Sequence, residues 1–282
     1  MKLITPYGFR ERMLLIGGGG AGKTTAALSM MDAALGALAD DGAAGYVIDL
    51  DYSRAWQRAI DIDFTDLDGR VHVSEVFPEW EPVIAEVQRI TQDTDANRPD
   101  NWLVIDSVSP TWDLVQSWYV ELAMGRDIAG HMAQLKRENS TQNDYAAALA
   151  ETMNWPAIKK EYAKLYYALQ SWRGHFVLTA EAKSIKGERD GDQLALYGPV
   201  GYKPVGDGRL SHVPATTLFL KNDAGGYKFS TVKDRNRQKA QNEKVDGIED
   251  GGFAGTYLRD RAGWQTVRPR RKQQVAEAEV EA

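Results

Sequence analysis

A chain of 282 residues, 43% hydrophobic and 26% charged, is long enough for one large α/β domain or two small ones. It has no cysteine, which excludes disulfides and thiolate chemistry, and its four histidines (His72, His131, His175, His212) stand too far apart for a metal motif. The net charge of −6 argues against a generally basic nucleic-acid coat, and no uncharged run approaches membrane-spanning length, so the sequence reads as a soluble cytoplasmic protein without membrane contact.

In chain order, "RMLLI" (Arg12 to Ile16) is a short apolar run that predicts a buried strand. "GGGGAGKTT" (Gly17 to Thr25) follows, and then an Ala-, Leu- and Met-rich stretch with helical spacing that stops at Gly42. Strand, glycine loop and helix are the context of the phosphate-binding loop G-x-x-x-x-G-K-[ST], here Gly17, Gly22, Lys23 and Thr24. The composition follows from the chemistry. Backbone N–H groups of Gly17, Gly18, Gly19, Gly20, Ala21 and Gly22 can wrap a polyphosphate that a side chain would block. The helix N-terminus, with Lys23, Thr24 and Thr25, adds its dipole; Lys23 reaches the terminal phosphates and Thr24 ligates Mg²⁺. The sequence predicts a nucleoside triphosphate ligand.

Further apolar runs, Gly45 to Leu50, Arg70 to Val76, Trp102 to Asp106 and His175 to Ala180, alternate with helical segments. Such alternation predicts a parallel sheet covered by helices. "VIDLDYSRAW" places Asp49 and Asp51 at a strand end, where one carboxylate can face the γ-phosphate and orient water. "NWLVIDS" ends in Asp106, an acid suited to the magnesium shell. Residues 112–172 read as mostly helical, interrupted around Arg137 to Asp144 and at Pro156. Ala215 to Asp234 reads as two β-rich runs around Asn-Asp-Ala-Gly-Gly, a hairpin signal, and "GTYLRDRAGWQTVRP" as a smaller one. The polar tail from Pro269 reads as disordered or as a frayed helix. The chain therefore divides into a core of residues 1–245, a small β-rich extension over 246–268 and a tail over 269–282.

Charge is unevenly spread. Asp40 to Asp100 holds fifteen acidic against five basic residues, Lys228 to Lys244 six basic against two acidic, and Arg268 to Lys272 four basic. An anionic partner is expected at the C-terminal third.

The order "LLIGGGGAGKTT", "VIDLD", "LVIDSVSP", "HFVLTAEAK" resembles the RecA-type ATPase core, and more narrowly the phage Sak-type single-strand-annealing ATPases, over roughly Met13 to Arg237. The resemblance implies ATP and Mg²⁺ as ligands and ATP hydrolysis stimulated by single-stranded DNA. It also implies a ring or filament of identical copies and a single-strand-binding protein as a partner, serving recombination or annealing. Asp51 falls where the family carries its catalytic glutamate, Asp106 at the metal shell, and Glu181 near the γ-phosphate-sensing glutamine, with Thr179 as the alternative sensor. Lys183 to Leu210 follows where RecA-like proteins carry a mobile DNA loop; Lys183, Lys186 and Arg189 would hold phosphates while Tyr197 or Tyr202 stacks on bases. "VKDRNR" is similar to the K-x-R element that RadA- and DnaB-type proteins insert into a neighbour's ATP site, which would make Lys233 and Arg235 a finger in trans. Trp56 reads as core or as an adenine platform. The rivals are a DNA motor (helicase or packaging ATPase) and a non-hydrolysing ATP-gated adaptor.

Overall fold

The computed structural model describes residues 10–37, 42–51, 69–125, 127–139, 141–144, 148, 153–186, 191–235, 237–245 and 252–264. Among them, a nine-stranded sheet forms from β1 (Arg12–Gly17), β2 (Gly45–Asp49), β3 (Val71–Glu75), β4 (Trp102–Asp106), β5 (His175–Ser184), β6 (Tyr202–Pro204), β7 (Thr216–Asp223), β8 (Gly226–Asp234) and β9 (Glu243–Lys244). The order across the sheet is β3-β2-β4-β5-β1-β7-β8-β9, with β6 paired to the end of β5. From β3 through β7 the path is parallel, and β8 and β9 add antiparallel strands at one edge. This is the predicted class: α/β, a mostly parallel sheet with a C-terminal antiparallel hairpin.

Side-chain alternation along the strands builds two cores. Met13 and Leu15 of β1, Trp102 and Val104 of β4 and Val177 of β5 face one side. Leu14, Ile16, Leu103, Ile105, Phe176 and Leu178 face the other. Such runs, apolar on both faces, are what a covered parallel sheet requires. Helix α1 (Lys23–Ala37) covers the first side and is apolar around much of its girth, burying Ala26, Ala27, Met30, Met31, Ala34 and Leu35. Helices α2 (Trp80–Gln92), α3 (Thr111–Met124) and α5 (Trp155–Ser171) cover the second, and α4 (Ile128–Glu138) packs on α3. On α5, Ile158, Tyr162, Leu165, Tyr166 and Leu169 recur at helical spacing and are buried.

One expected boundary is placed more closely, and two expectations need correction. The break expected at Pro156 falls just before it: Met153 and Asn154 are not helical, and α5 starts at Trp155. Pro156 stands in the first turn of α5, where its missing N–H has no partner to lose, and the Asn154 side chain caps that turn by accepting from the Ala157 N–H at 3.2 Å. The C-terminal segment is not a hairpin where it is described: Ala254–Arg259 is a π-helical turn, with Phe253 and Tyr257 stacked at 5.8 Å on one face and buried in the core beneath α1. Phe253, Tyr257, Leu258 and Trp264 thus complete the α1-side core. Finally, Lys183 to Leu210 is largely folded. β5 runs on to Ser184, α6 spans Gly191–Tyr197, β6 pairs back onto β5, and a 3₁₀ turn covers Gly208–Ser211.

A buried ion pair ties the C-terminal part to the start of β1. Arg237 donates to both carboxylate oxygens of Glu11, at 2.6 and 3.1 Å, and to the Tyr257 hydroxyl at 2.8 Å, while Trp264 Nε1 donates to Glu11 at 3.2 Å. Glu11 is only 2% exposed. Its backbone N–H is taken by Nδ1 of His175, which burial, with the nearby Arg10 charge, pushes down to about 3 and so keeps a neutral acceptor. Arg237→Ala leaves that carboxylate buried without its cation, and we expect a loss of about 3–5 kcal/mol in unfolding free energy by urea titration. A loss below about 1 kcal/mol would class the pair with ordinary surface ion pairs.

Candidate nucleotide site

The site lies along the C-terminal ends of the parallel strands, where open α/β sheets collect their ligands. Registration fixes who stands beside whom: Asp49 opposite Asp106, and Gly17 between Glu181 on β5 and Leu220 on β7. The chain leaves β1 at Gly17, crosses the strand ends and enters α1 at Lys23.

Sterics explain the bare loop. A Cβ on Gly17 would lie 2.6 Å from the Leu220 carbonyl oxygen and 2.9 Å from the Ala21 Cβ, so the loop could not leave the sheet there. Gly22 has a φ of +81°, and a Cβ on it would meet the Tyr227 ring at 3.1 Å. Around Gly18, Gly19 and Gly20 nothing would touch an added Cβ, so their backbone faces open space.

The charged groups converge on this loop. The Lys23 ammonium donates to the carbonyl oxygens of Gly17 and Gly18, each at 3.0 Å, and so lies over the loop. Burial lowers its pKa, while the negative charges of Asp106, Glu181 and Asp51 act against that shift. Glu181 pairs with Gly17 in the register, Asp106 holds the Thr24 hydroxyl and Asp51 follows Asp49 past the end of β2, so the three acids stand at the same end of the sheet as Lys23. The Thr24 hydroxyl donates to Asp106 Oδ2 at 2.6 Å, and the Thr179 hydroxyl donates to Asp106 Oδ1. A carboxylate so fixed beside a hydroxyl at a helix start is a hard-oxygen donor set, which suits Mg²⁺. Among the described residues no cluster of three or more His, Asp or Glu could hold a metal by itself, so phosphate oxygens and water would complete the shell. The cradle and the donor set fit a magnesium–triphosphate.

Asp49 and Asp51 separate by burial: Asp49 is buried at the end of β2, and its Oδ1 accepts the Asp51 N–H at 3.0 Å, while the Asp51 side chain is exposed. Glu181 is exposed as well, and its N–H is held by the Ser109 hydroxyl at 2.7 Å. Thr25 sits exposed in the first turn of α1. Trp56 and Arg189 lie outside the described residues, as do Arg268 to Lys272.

Lys233 and Arg235 are turned away from the loop of their own chain. Asp234 pairs with Thr216, four residues back along β7 from the Leu220 that flanks Gly17, which is about 13 Å of strand. Lys233 is half-buried and donates to the Ser211 carbonyl; burial, with the like charge of Arg235, lowers it to about 8. Arg235 is exposed just past the end of β8.

The proposed DNA residues part company. Tyr197 is fully buried and its hydroxyl donates to Ser211 Oγ at 2.8 Å, so it offers no face to a base; the apolar ring completes the core under α6. Tyr202 is 41% exposed, with one face stacked on Phe219 at 5.1 Å. Lys183, paired across the β5–β6 ribbon with Lys203, and Lys186 are near it in the chain fold, and both Lys183 and Lys186 are exposed.

Two features escaped the sequence reading. Tyr227, 49% exposed, lays its ring against the loop at Gly22. A cleft of about 410 Å³ opens beside Gly18 and Gly19, walled by Tyr202, Phe219, Lys221 and Asn222. The pairings of β7 with β1 and of β6 with the end of β5 bring these residues to the loop, and no local pattern encodes the β7–β1 pairing.

No protein-family model matches this sequence, and no curated protein does. In fold, the chain is similar to a KaiC-like protein from the hyperthermophilic archaeon Pyrococcus horikoshii OT3, with a TM-score of 0.44 and 15% identity over 86% of this chain and 88% of that one.

Proposed function

We propose that this protein binds and hydrolyses Mg·ATP at the loop, and that it does so between copies of itself assembled head to tail on single-stranded DNA, in recombination or annealing. The observation that carries the reading is the gathering of Lys23, Thr24, Asp106, Asp51 and Glu181 at one end of the sheet.

Each residue then has a task. The loop N–H groups and Lys23 hold the phosphates, Thr24 and Asp106 hold the magnesium, and Asp51 orients the attacking water. Glu181, beside Gly17 in the register, is placed to register the γ-phosphate and to pass the change into the β5–β6 ribbon. Held by Thr24 and Asp106, a magnesium ion would supply charge neutralisation to the transferring phosphoryl group, and little covalent chemistry would be left for the protein. The exposed Tyr227 ring is a surface on which a base or ribose can rest. Lys233 and Arg235 cannot serve their own loop from the far end of β7 and β8, which supports their acting on a neighbour's site. The cytoplasm, where ATP and DNA are at hand, is the setting; no helix among the described residues is long and apolar enough to cross a membrane.

Turnover measured with and without single-stranded DNA tests the reading. Stimulation without unwinding is the expected result; unwinding would indicate a motor, and binding without turnover an adaptor. Replacing Lys183, Lys186 and Arg189 together should weaken strand binding and flatten its dependence on salt, since fewer counterions are released. An unchanged salt slope would move the contact to Arg268 to Lys272.

A further inference from the structure

Away from the phosphate loop, a second cavity of about 290 Å³ opens between α3, α4 and the turn leading into α5. Its walls divide by chemistry. Met132, Met153 and Trp155 supply polarizable and aromatic surface, and Asp113, Gln116 and His131 supply polar atoms. His131 stands out. It is only 6% exposed, and neither ring nitrogen has a hydrogen-bond partner among the described residues. Burying an unmet imidazole is destabilising, and an apolar side chain of similar size would fill the space without that cost. Helix α4 does not need it either, since Asp127 caps its first turn by accepting from the Gly130 N–H at 2.7 Å.

We propose that this cavity receives a nucleobase-sized heteroaromatic ring, hydrogen-bonded to His131 and packed against Trp155, Met132 and Met153. Neutral imidazole presents one donor and one acceptor in a single plane, which a flat ring with its own donor and acceptor can match. The Gln116 amide nitrogen is committed to the Trp112 carbonyl at 3.0 Å and to Asp113 Oδ1 at 3.3 Å, so Gln116 turns its carbonyl oxygen to other donors. With Asp113 at the exposed mouth, the polar edge is rich in acceptors and suits ring N–H or amino groups. The methionines and the indole suit the ring faces. Other ligand classes fit less well. An aliphatic guest leaves His131 unmet, Asp113 repels a phosphate, and the described residues hold no three-ligand metal cluster.

The inference stands independently of ATP turnover. The ring can come from a free nucleoside or from an unpaired base of a single strand, and one experiment separates these sources. The full chain, labelled at its methionine methyls, is titrated with adenosine, guanosine, cytidine and thymidine in turn, none of which carries a phosphate for the loop. A parallel series uses single-stranded homopolymer oligonucleotides. We expect saturable shifts of the Met132 and Met153 methyls with at least one nucleoside; shifts in the oligonucleotide series alone place the same ring chemistry in a strand. His131→Leu should weaken the response about tenfold or more. The same change should raise the thermal midpoint, because the unmet nitrogens are gone. Met153→Trp, which adds bulk at the buried wall of the cavity, is the second variant and should strongly reduce the Met132 shift. No shift in either series, or shifts unchanged in both variants, overturns the proposal.

Discussion

Lys23→Ala is expected to weaken ATP binding by at least about two orders of magnitude while leaving the fold intact. The lysine ammonium lies over the loop on the carbonyl oxygens of Gly17 and Gly18. It is also the cation at the end of the sheet where Asp51, Asp106 and Glu181 stand. Removing it subtracts the charge aimed at the phosphates and leaves three carboxylates unopposed, so the site changes from attracting an anion to repelling one. The aliphatic stem is not part of the core cluster, and alanine is a good helix former at the start of α1. Calorimetric titration with Mg·ATP reads the affinity, and far-ultraviolet dichroism with a urea melt shows that the chain is still folded. Retention of tight binding by a folded Lys23→Ala protein would remove the basis for placing the nucleotide at this loop.

Mixing two inactive variants should restore hydrolysis. An Arg235→Ala subunit keeps its loop and its Asp51, and an Asp51→Asn subunit keeps its Lys233 and Arg235. If the site is shared, each variant alone lacks one part at every interface and is nearly inactive. In a mixture, some interfaces join the intact Asp51 of one subunit to the intact Arg235 of the next. An arginine supplied in trans contributes roughly 10³–10⁵ in rate in phosphoryl-transfer enzymes, so a minority of complete interfaces should rise well above background. The strand register favours this outcome, because Arg235 lies past Asp234, which pairs at the far end of β7 from the loop. Mixtures shown to co-assemble that never recover activity would count against the shared site.

The strand–glycine loop–helix unit and the buried Asp106 beside it were legible because their determinants are local. "RMLLI", the glycines and Lys23 follow one another directly, and Asp106 ends an apolar run whose burial needs no partner to be guessed. The β7–β8 hairpin was legible for the same reason, through the turn between its strands. What stayed hidden depends on distant pairing. Tyr227 reaches Gly22 only because β7 lies beside β1, and Tyr197 reads as a surface aromatic until α6 folds it onto Ser211. The helical turn at Ala254 to Arg259 was misread because Thr256, Tyr257, Trp264 and Val267 favour strands in isolation, whereas the space beneath α1 selects a helical face that stacks Phe253 on Tyr257. The Glu11–Arg237 pair joins residues 226 positions apart, and no window of sequence could have announced it.

That long closure has a consequence for how the protein is made. β1 is made before the other described strands, yet both strands that flank it, β5 and β7, lie beyond residue 174. The partners of Glu11 come later still, at Arg237, Tyr257 and Trp264. Until β5 and β7 have been made, the apolar "MLLI" strand lacks both its neighbours, and Glu11 lacks its cation until Arg237 follows. The loop after β1 therefore acquires its anchored geometry only once these later segments have been made, and the nascent chain carries an unpaired hydrophobic segment until then. Non-local pairing of this kind folds slowly and leaves strand edges open to association in the meantime. A ribosome-bound chain stalled before Arg237 should for this reason be more susceptible to proteolysis in β1 than one released after Trp264.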